Sequence, residues 1–138
     1  MCIQYLDKRI KPRKDGVYYK VMIPYGTGYR TPYQYLYRDN KRGKKGNYFL
    51  GQMYKDKVNK YLLDSYRVVY RAGFHVFRTK YGAKQFINSL EWEFGRYNQG
   101  RRPKILVVKI GKIIAKGKQL GIPVLVSKEI TLLRECKE

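Results

Sequence analysis

At 138 residues the chain has room for one domain with one hydrophobic core. Thirty-one Lys and Arg against ten Asp and Glu give a net charge of +21. A hydrophobic share of 43% argues against a wholly disordered chain, and no apolar run approaches the roughly 20 residues of a membrane helix, so no membrane partner is expected. The charge is spread: residues 1–60 hold fifteen Lys/Arg and four Asp/Glu, residues 61–138 sixteen and six. The folded body itself is therefore basic, and a surplus of this size repels itself unless something acidic meets it.

Residues 1–16 read as a basic arm that ends in a turn at Asp15-Gly16, and residues 17–138 as a single domain. Asp7, Lys8 and Arg9 break the first apolar stretch, so no signal peptide is expected. Val17–Ile23 is a β-rich run with Pro24 as its stop. Residues 25–47 form a Gly-, Tyr-, Arg- and Lys-rich insert, with a short strand or turn expected near Tyr33–Tyr37 and a tip at Lys41–Gly46. Tyr48–Tyr54 reads as a strand bent at Gly51. Val68–Tyr70 and Phe74–Phe77 read as one strand broken at Gly73. Thr79 is a plausible N-cap for a helix over Lys80–Phe94, on the spacing of Ala83, Phe86, Ile87, Leu90 and Phe94, with Gly95 as its stop. Lys104–Ile110 is a largely buried strand, bent by Gly111 into 112–115. Residues 116–123 read as a turn region, and Val124–Leu133 as one or two strands. The expected class is α+β: a mostly antiparallel sheet with one well-defined helix.

Gly73, Phe74, His75 and Phe77 form a GFH-F block before a short helix. A strand ending in Gly follows (Ile105–Gly111), then Val126-Ser127-Lys128 and Ile130, with Tyr19-Lys20-Val21 and Leu50-Gly51-Gln52-Met53-Tyr54 earlier in the chain. This pattern resembles a family of small domains of phages and large viruses that is built around such a block and has no established activity. The resemblance spans most of residues 17–134 and implies a shared fold and a viral or mobile-element origin. Members are usually far less basic, and the departure here lies in the insert at 25–47 and the arm. By analogy, such small basic proteins engage host nucleic acid or host defence complexes.

Lys and Arg neutralise phosphates, and Tyr rings stack on exposed bases. The candidate binding residues are Arg30, Tyr33, Tyr35, Tyr37, Arg38, Lys41, Arg42, Lys44 and Lys45 in the insert, with Arg101 and Arg102 as a second patch. Tyr33, Tyr35 and Tyr37 share one face if they lie on a strand, which suits a stacking platform and ordinary sheet packing equally. Lys104, Lys109, Lys112, Lys116 and Lys118 extend the second patch, or Lys104, Lys112, Lys116 and Lys118 form the exposed face of an antiparallel sheet.

His75 is the only histidine. Without a second His, a Cys pair or a carboxylate cluster, it is read as a hydrogen-bonded structural residue, and no metal or cofactor is expected. Cys2 and Cys136 leave open a bridge between the termini or two free thiols of a reducing cytosol. Gly26-Thr27-Gly28 has no following helix signal and so no dinucleotide fingerprint.

The sequence thus points to a non-enzymatic basic binding protein of the cytoplasm (the host's, if viral) that engages RNA or single strands. The alternative is an anti-defence inhibitor that docks on an acidic host protein or ribonucleoprotein, such as a CRISPR-type effector. A further alternative is an ADP-ribosyltransferase-like enzyme using Tyr19, His75 and Glu129.

Overall fold

The computed structural model describes residues 3–31, 47–56, 61–63, 69–71, 73–89 and 102–137. Among them run strands β1 (Tyr5–Leu6), β2 (Val17–Tyr25), β3 (Gly28–Arg30), β4 (Met53–Lys55), β5 (Tyr61–Leu63), β6 (Val69–Arg71) and β7 (Phe74–Phe77). Helix α1 (Lys80–Ser89) follows, then β8 (Lys104–Ile110), β9 (Ile113–Gln119), β10 (Ile122–Ser127) and β11 (Glu129–Glu135). The architecture is α+β, one domain with a mostly antiparallel sheet and, among the described residues, a single helix. Nine strands form one sheet in the order β1-β9-β10-β7-β2-β8-β11-β4, with β3 paired to β2; β5 and β6 form a separate pair.

The organising element is a long bent hairpin. β8 continues into β9 across Gly111-Lys112, and β10 into β11 across Lys128. The near half pairs β8 with β11, and the far half pairs β9 with β10. β2 takes the near half through β8 and meets β7, which in turn takes the far half through β10. Tyr29 and Tyr48 exchange two backbone hydrogen bonds of 2.8 Å, tying β3 to the segment that leads into β4 on the far flank of β11. The pairings therefore run from β3 through β2, β8 and β11 back to β3.

The period-2 alternation of β2 divides its residues between two cores. Tyr18 and Met22 face a cluster enclosed by the coiled sheet, with Tyr29, Leu106, Val108, Ile130 and Leu132. Val21 and Ile23 face a second cluster with Phe77, Val124 and Val126, closed by Ala83 and Phe86 of α1 and by Ile3. The Phe77 and Phe86 rings lie 5.1 Å apart. Burial on both faces explains why β8 and β10 read as nearly continuous apolar runs.

Several expectations change. From Ile3 onward, the N-terminal segment is packed into the body. Ile3 is fully buried, β1 pairs with β9, Ile10 enters the enclosed core, and Arg13 N–H donates to Tyr18 Oη at 2.9 Å. Pro24 does not stop β2. It pairs with Tyr29, whose backbone N–H and C=O both serve Tyr48, so this is a non-hydrogen-bonded pair and needs no donor from proline. Gly26-Thr27 is the two-residue turn of that hairpin, with Gly26 at φ 59°. Residues 116–123 are not a turn region: β9 runs to Gln119, β10 starts at Ile122, and Leu120-Gly121 alone make the turn. The expected broken strand at 68–77 belongs to two sheets, β6 pairing with β5 and β7 with β10. Helix α1 starts as expected, Thr79 Oγ1 accepting from Gly82 N–H at 3.0 Å. Its described part ends at Ser89, so Leu90, Phe94 and Gly95 lie outside the described residues.

Candidate nucleic-acid interface

Only two of the eleven candidate binding residues, Arg30 and Arg102, fall among those described. Tyr33, Tyr35, Tyr37, Arg38, Lys41, Arg42, Lys44, Lys45 and Arg101 lie outside them. Arg30 sits on β3 opposite Ile23, while Tyr25 on β2 is opposite Gly28, so the two side chains are diagonal neighbours on one face of the hairpin. The guanidinium carbon of Arg30 lies 3.6 Å from the Tyr25 ring centroid. Arg30 Nε donates to Asn47 Oδ1 at 3.1 Å. The chain leaves β3 at Thr31 and re-enters the described structure at Asn47, so this bond spans the base of the basic insert.

Arg102 reaches the same end of the sheet from the opposite flank. Lys104, two residues after it, pairs with Met22 on β2, next to the Ile23 that pairs with Arg30. Arg102 and Lys104 are exposed, as are Arg134 and Lys137 at the end of β11, where Glu135 pairs with Leu106. Residues 72 positions apart in sequence, Arg30 and Arg102, thus share one end of the coiled sheet.

Of the four lysines read as a possible exposed sheet face, Lys104 and Lys112 are exposed, while Lys116 and Lys118 lie half-buried on β9 beside Leu125 and Pro123. Other exposed cations include Lys14 beside the Asp15 turn and Lys84 on α1. The described carboxylates are all engaged: Asp7 with Arg9, Asp15 with Arg13, Asp56 with Lys128, Glu129 with Lys55, and Glu135 with the Tyr29 hydroxyl. The Arg13 guanidinium and the Val17 N–H hold the Asp15 carboxyl down to about 2. Burial, then the bond to Glu135, push the Tyr29 phenol up to about 12. Tyr29, with only 8% of its surface exposed, is therefore a packed residue and no stacking platform.

Tyr70, His75 and Lys20 form a buried polar network. His75 Nε2 lies 2.8 Å from Tyr70 Oη, and Tyr70 Oη accepts from Ile3 N–H at 2.8 Å. His75 Nδ1 meets the Gly73 carbonyl at 3.2 Å. A carbonyl can only accept, so Nδ1 carries the proton and Nε2 accepts from Tyr70. Burial first, then the Lys20 charge, lower His75 to about 3, so the imidazole is neutral at neutral pH. A Cβ on Gly73 would sit 2.6 Å from the Ser127 carbonyl oxygen, which explains the glycine of the GFH block. Lys20, on the enclosed face of β2, is buried and lowered to about 8 by that burial; its Nζ donates to the His75 carbonyl at 2.8 Å. Composition gave no sign of it among so many lysines.

Tyr19, His75 and Glu129 are not brought together by any described contact. Arg13 lies over the Tyr19 ring, His75 is held by Tyr70 and Gly73, and Glu129 pairs with Lys55 at 3.6 Å. Cys136 is a free thiol, and Cys2 lies outside the described residues. No group of His, Cys, Asp and Glu suited to a metal occurs among the described residues, and no helix among them is long and apolar enough to cross a membrane. No family model matches the chain, and neither a curated protein nor a solved structure does.

Proposed function

We propose that the protein binds single-stranded nucleic acid, RNA foremost, at the end of the sheet where β3 and β8 flank β2. The observation that carries this reading is Arg30, laid over Tyr25 and held by Asn47, beside a basic insert and across β2 from Lys104 and Arg102. A guanidinium stacked on an aromatic ring fixes a positive charge and a flat cationic surface, which suit a phosphate and an unpaired base. Short strands joined by tight turns suit a groove for a flexible strand; among the described residues, α1 carries only Lys80 and Lys84 as cations and is no basic reading helix for a major groove. The GFH-F resemblance, with its implied viral origin, belongs to the same proposal.

Fluorescence anisotropy with single-stranded RNA, double-stranded RNA and duplex DNA at 50 and 200 mM salt tests it. Contact with six to ten phosphates of a single strand, at a slope of about 0.7 each, predicts an affinity loss of roughly 300-fold to 10⁴-fold over that range. The reading expects single strands to remain preferred at the higher salt. Weak, indiscriminate binding that vanishes there would refute it.

A further inference from the structure

We infer that the outer edge of β4 is a docking site for an extended acidic segment of a partner protein, which would add to the sheet as a further strand. Among the described strands, β4 ends the nine-stranded sheet and pairs only with β11. Gln52 C=O accepts from Leu132 N–H at 3.2 Å, and Asp56 N–H donates to Lys128 C=O at 2.8 Å, so residues 52, 54 and 56 turn their backbone groups towards β11. Alternation then turns the N–H and C=O of Met53 and Lys55 outward, where no described residue meets them.

Beside this edge the surface is apolar. Met53, Leu50 and Phe49 are 55%, 43% and 36% exposed, in a segment pinned to β11 by Gly51 N–H on the Leu132 carbonyl. Lys55, at the edge itself, is paired with Glu129 at 3.6 Å, so the preference for an acidic occupant rests on the net charge of +21 carried by the whole chain. The edge presents alternating donors and acceptors. A peptide backbone answers both, whereas a phosphodiester only accepts, so this edge suits a polypeptide and is independent of the nucleic-acid reading. A second copy of the chain is disfavoured, since two bodies of net charge +21 repel each other. The occupant that fits is a strand alternating apolar residues with Asp or Glu.

The test titrates a capped seven-residue peptide alternating Val and Glu into the full-length protein and follows amide signals and hydrogen exchange by NMR. The Met53 and Lys55 amides are expected to shift and gain at least tenfold protection. A Val/Lys peptide is expected to bind at least tenfold more weakly, and a peptide N-methylated on alternate residues likewise. Met53→Pro removes an outward donor together with the exposed Met53 side chain and should abolish binding while the remaining amide spectrum stays intact; Met53→Ala, which keeps the donor, should weaken binding less. Unchanged Met53 and Lys55 amides, equal binding of the N-methylated peptide, or the same protection from a single-stranded RNA oligonucleotide would each overturn the inference.

Discussion

Replacing Lys20 by Met should change how stability depends on pH more than any surface charge does. Lys20 lies fully inside the coiled sheet, where burial lowers its pKa from 10.5 to about 8. Below pH 8 both folded and unfolded chains carry this proton, and the folded state bears the whole cost of a buried ammonium. Between 8 and 10.5 the unfolded chain holds the proton and the folded chain does not, so stability rises with pH across that window and levels off above it. A shift of this size corresponds to about 3 kcal/mol in total, of which about 2 kcal/mol is recovered by pH 9.5. At pH 7 the substitution removes the buried charge but leaves the His75 carbonyl without its donor, a loss of about 1–3 kcal/mol that largely offsets the gain. The net effect at pH 7 is therefore small. The difference between the two proteins should grow in favour of wild type by about 2 kcal/mol between pH 7 and 9.5. Guanidinium unfolding at several pH values measures it, and the comparison cancels the titration of the many surface lysines and tyrosines. Parallel pH profiles for wild type and K20M would refute a buried, titrating Lys20.

Three further predictions rest on particular contacts. His75 is lowered to about 3, so stability should fall as pH drops from 6.5 towards 3, by up to about 4–5 kcal/mol from this group; His75→Gln should flatten that limb in acid-unfolding curves. Leu120 is a half-exposed residue at φ 51° in the β9–β10 turn, so Leu120→Asn, a residue at ease in that conformation before glycine, should raise stability by about 1 kcal/mol in thermal or urea melts. A Cβ on Gly117 would collide with Ile3 Cγ2 and the Tyr5 carbonyl, so Gly117→Ala should detach the N-terminal strand, seen as rapid amide exchange at Gln4 and Asp7, whose N–H groups bond to β9, with about 1–3 kcal/mol lost.

Most of the strands were legible because their apolar runs and turn residues agree: β8 matches its expected span, and α1 begins at the N-cap that Thr79 announces. The prolines misled. Pro24 and Pro123 each stand one residue from a two-residue turn, where register leaves the missing N–H without a role, a circumstance that pairing decides and local propensity does not show. The N-terminal segment read as an arm because its lysines and arginines outweigh Ile3 and Ile10, two apolar residues whose burial depends on distant strands. In the candidate site, the Tyr25–Arg30 stack was within reach, since a Gly26-Thr27 turn makes those residues diagonal neighbours. The approach of Arg102 to the same end was not, because it depends on β8 pairing with β2 across more than eighty residues of chain. Nor was the outward-facing backbone edge of β4, unpaired among the described residues, which follows from β11 taking one side of it.

The most direct test of the central claim compares two double variants in binding single-stranded RNA. Arg30→Ala with Arg102→Ala alters the proposed end of the sheet; Lys14→Ala with Lys84→Ala removes the same charge from the Asp15 turn and α1. If the β3–β8 end carries the contact, the first pair should lose about tenfold or more in affinity and lower the salt slope by about 1.4, two phosphates at about 0.7 each, while the second pair changes little. Equal losses from both pairs would mean that the charge acts as a whole and that this end is no binding site.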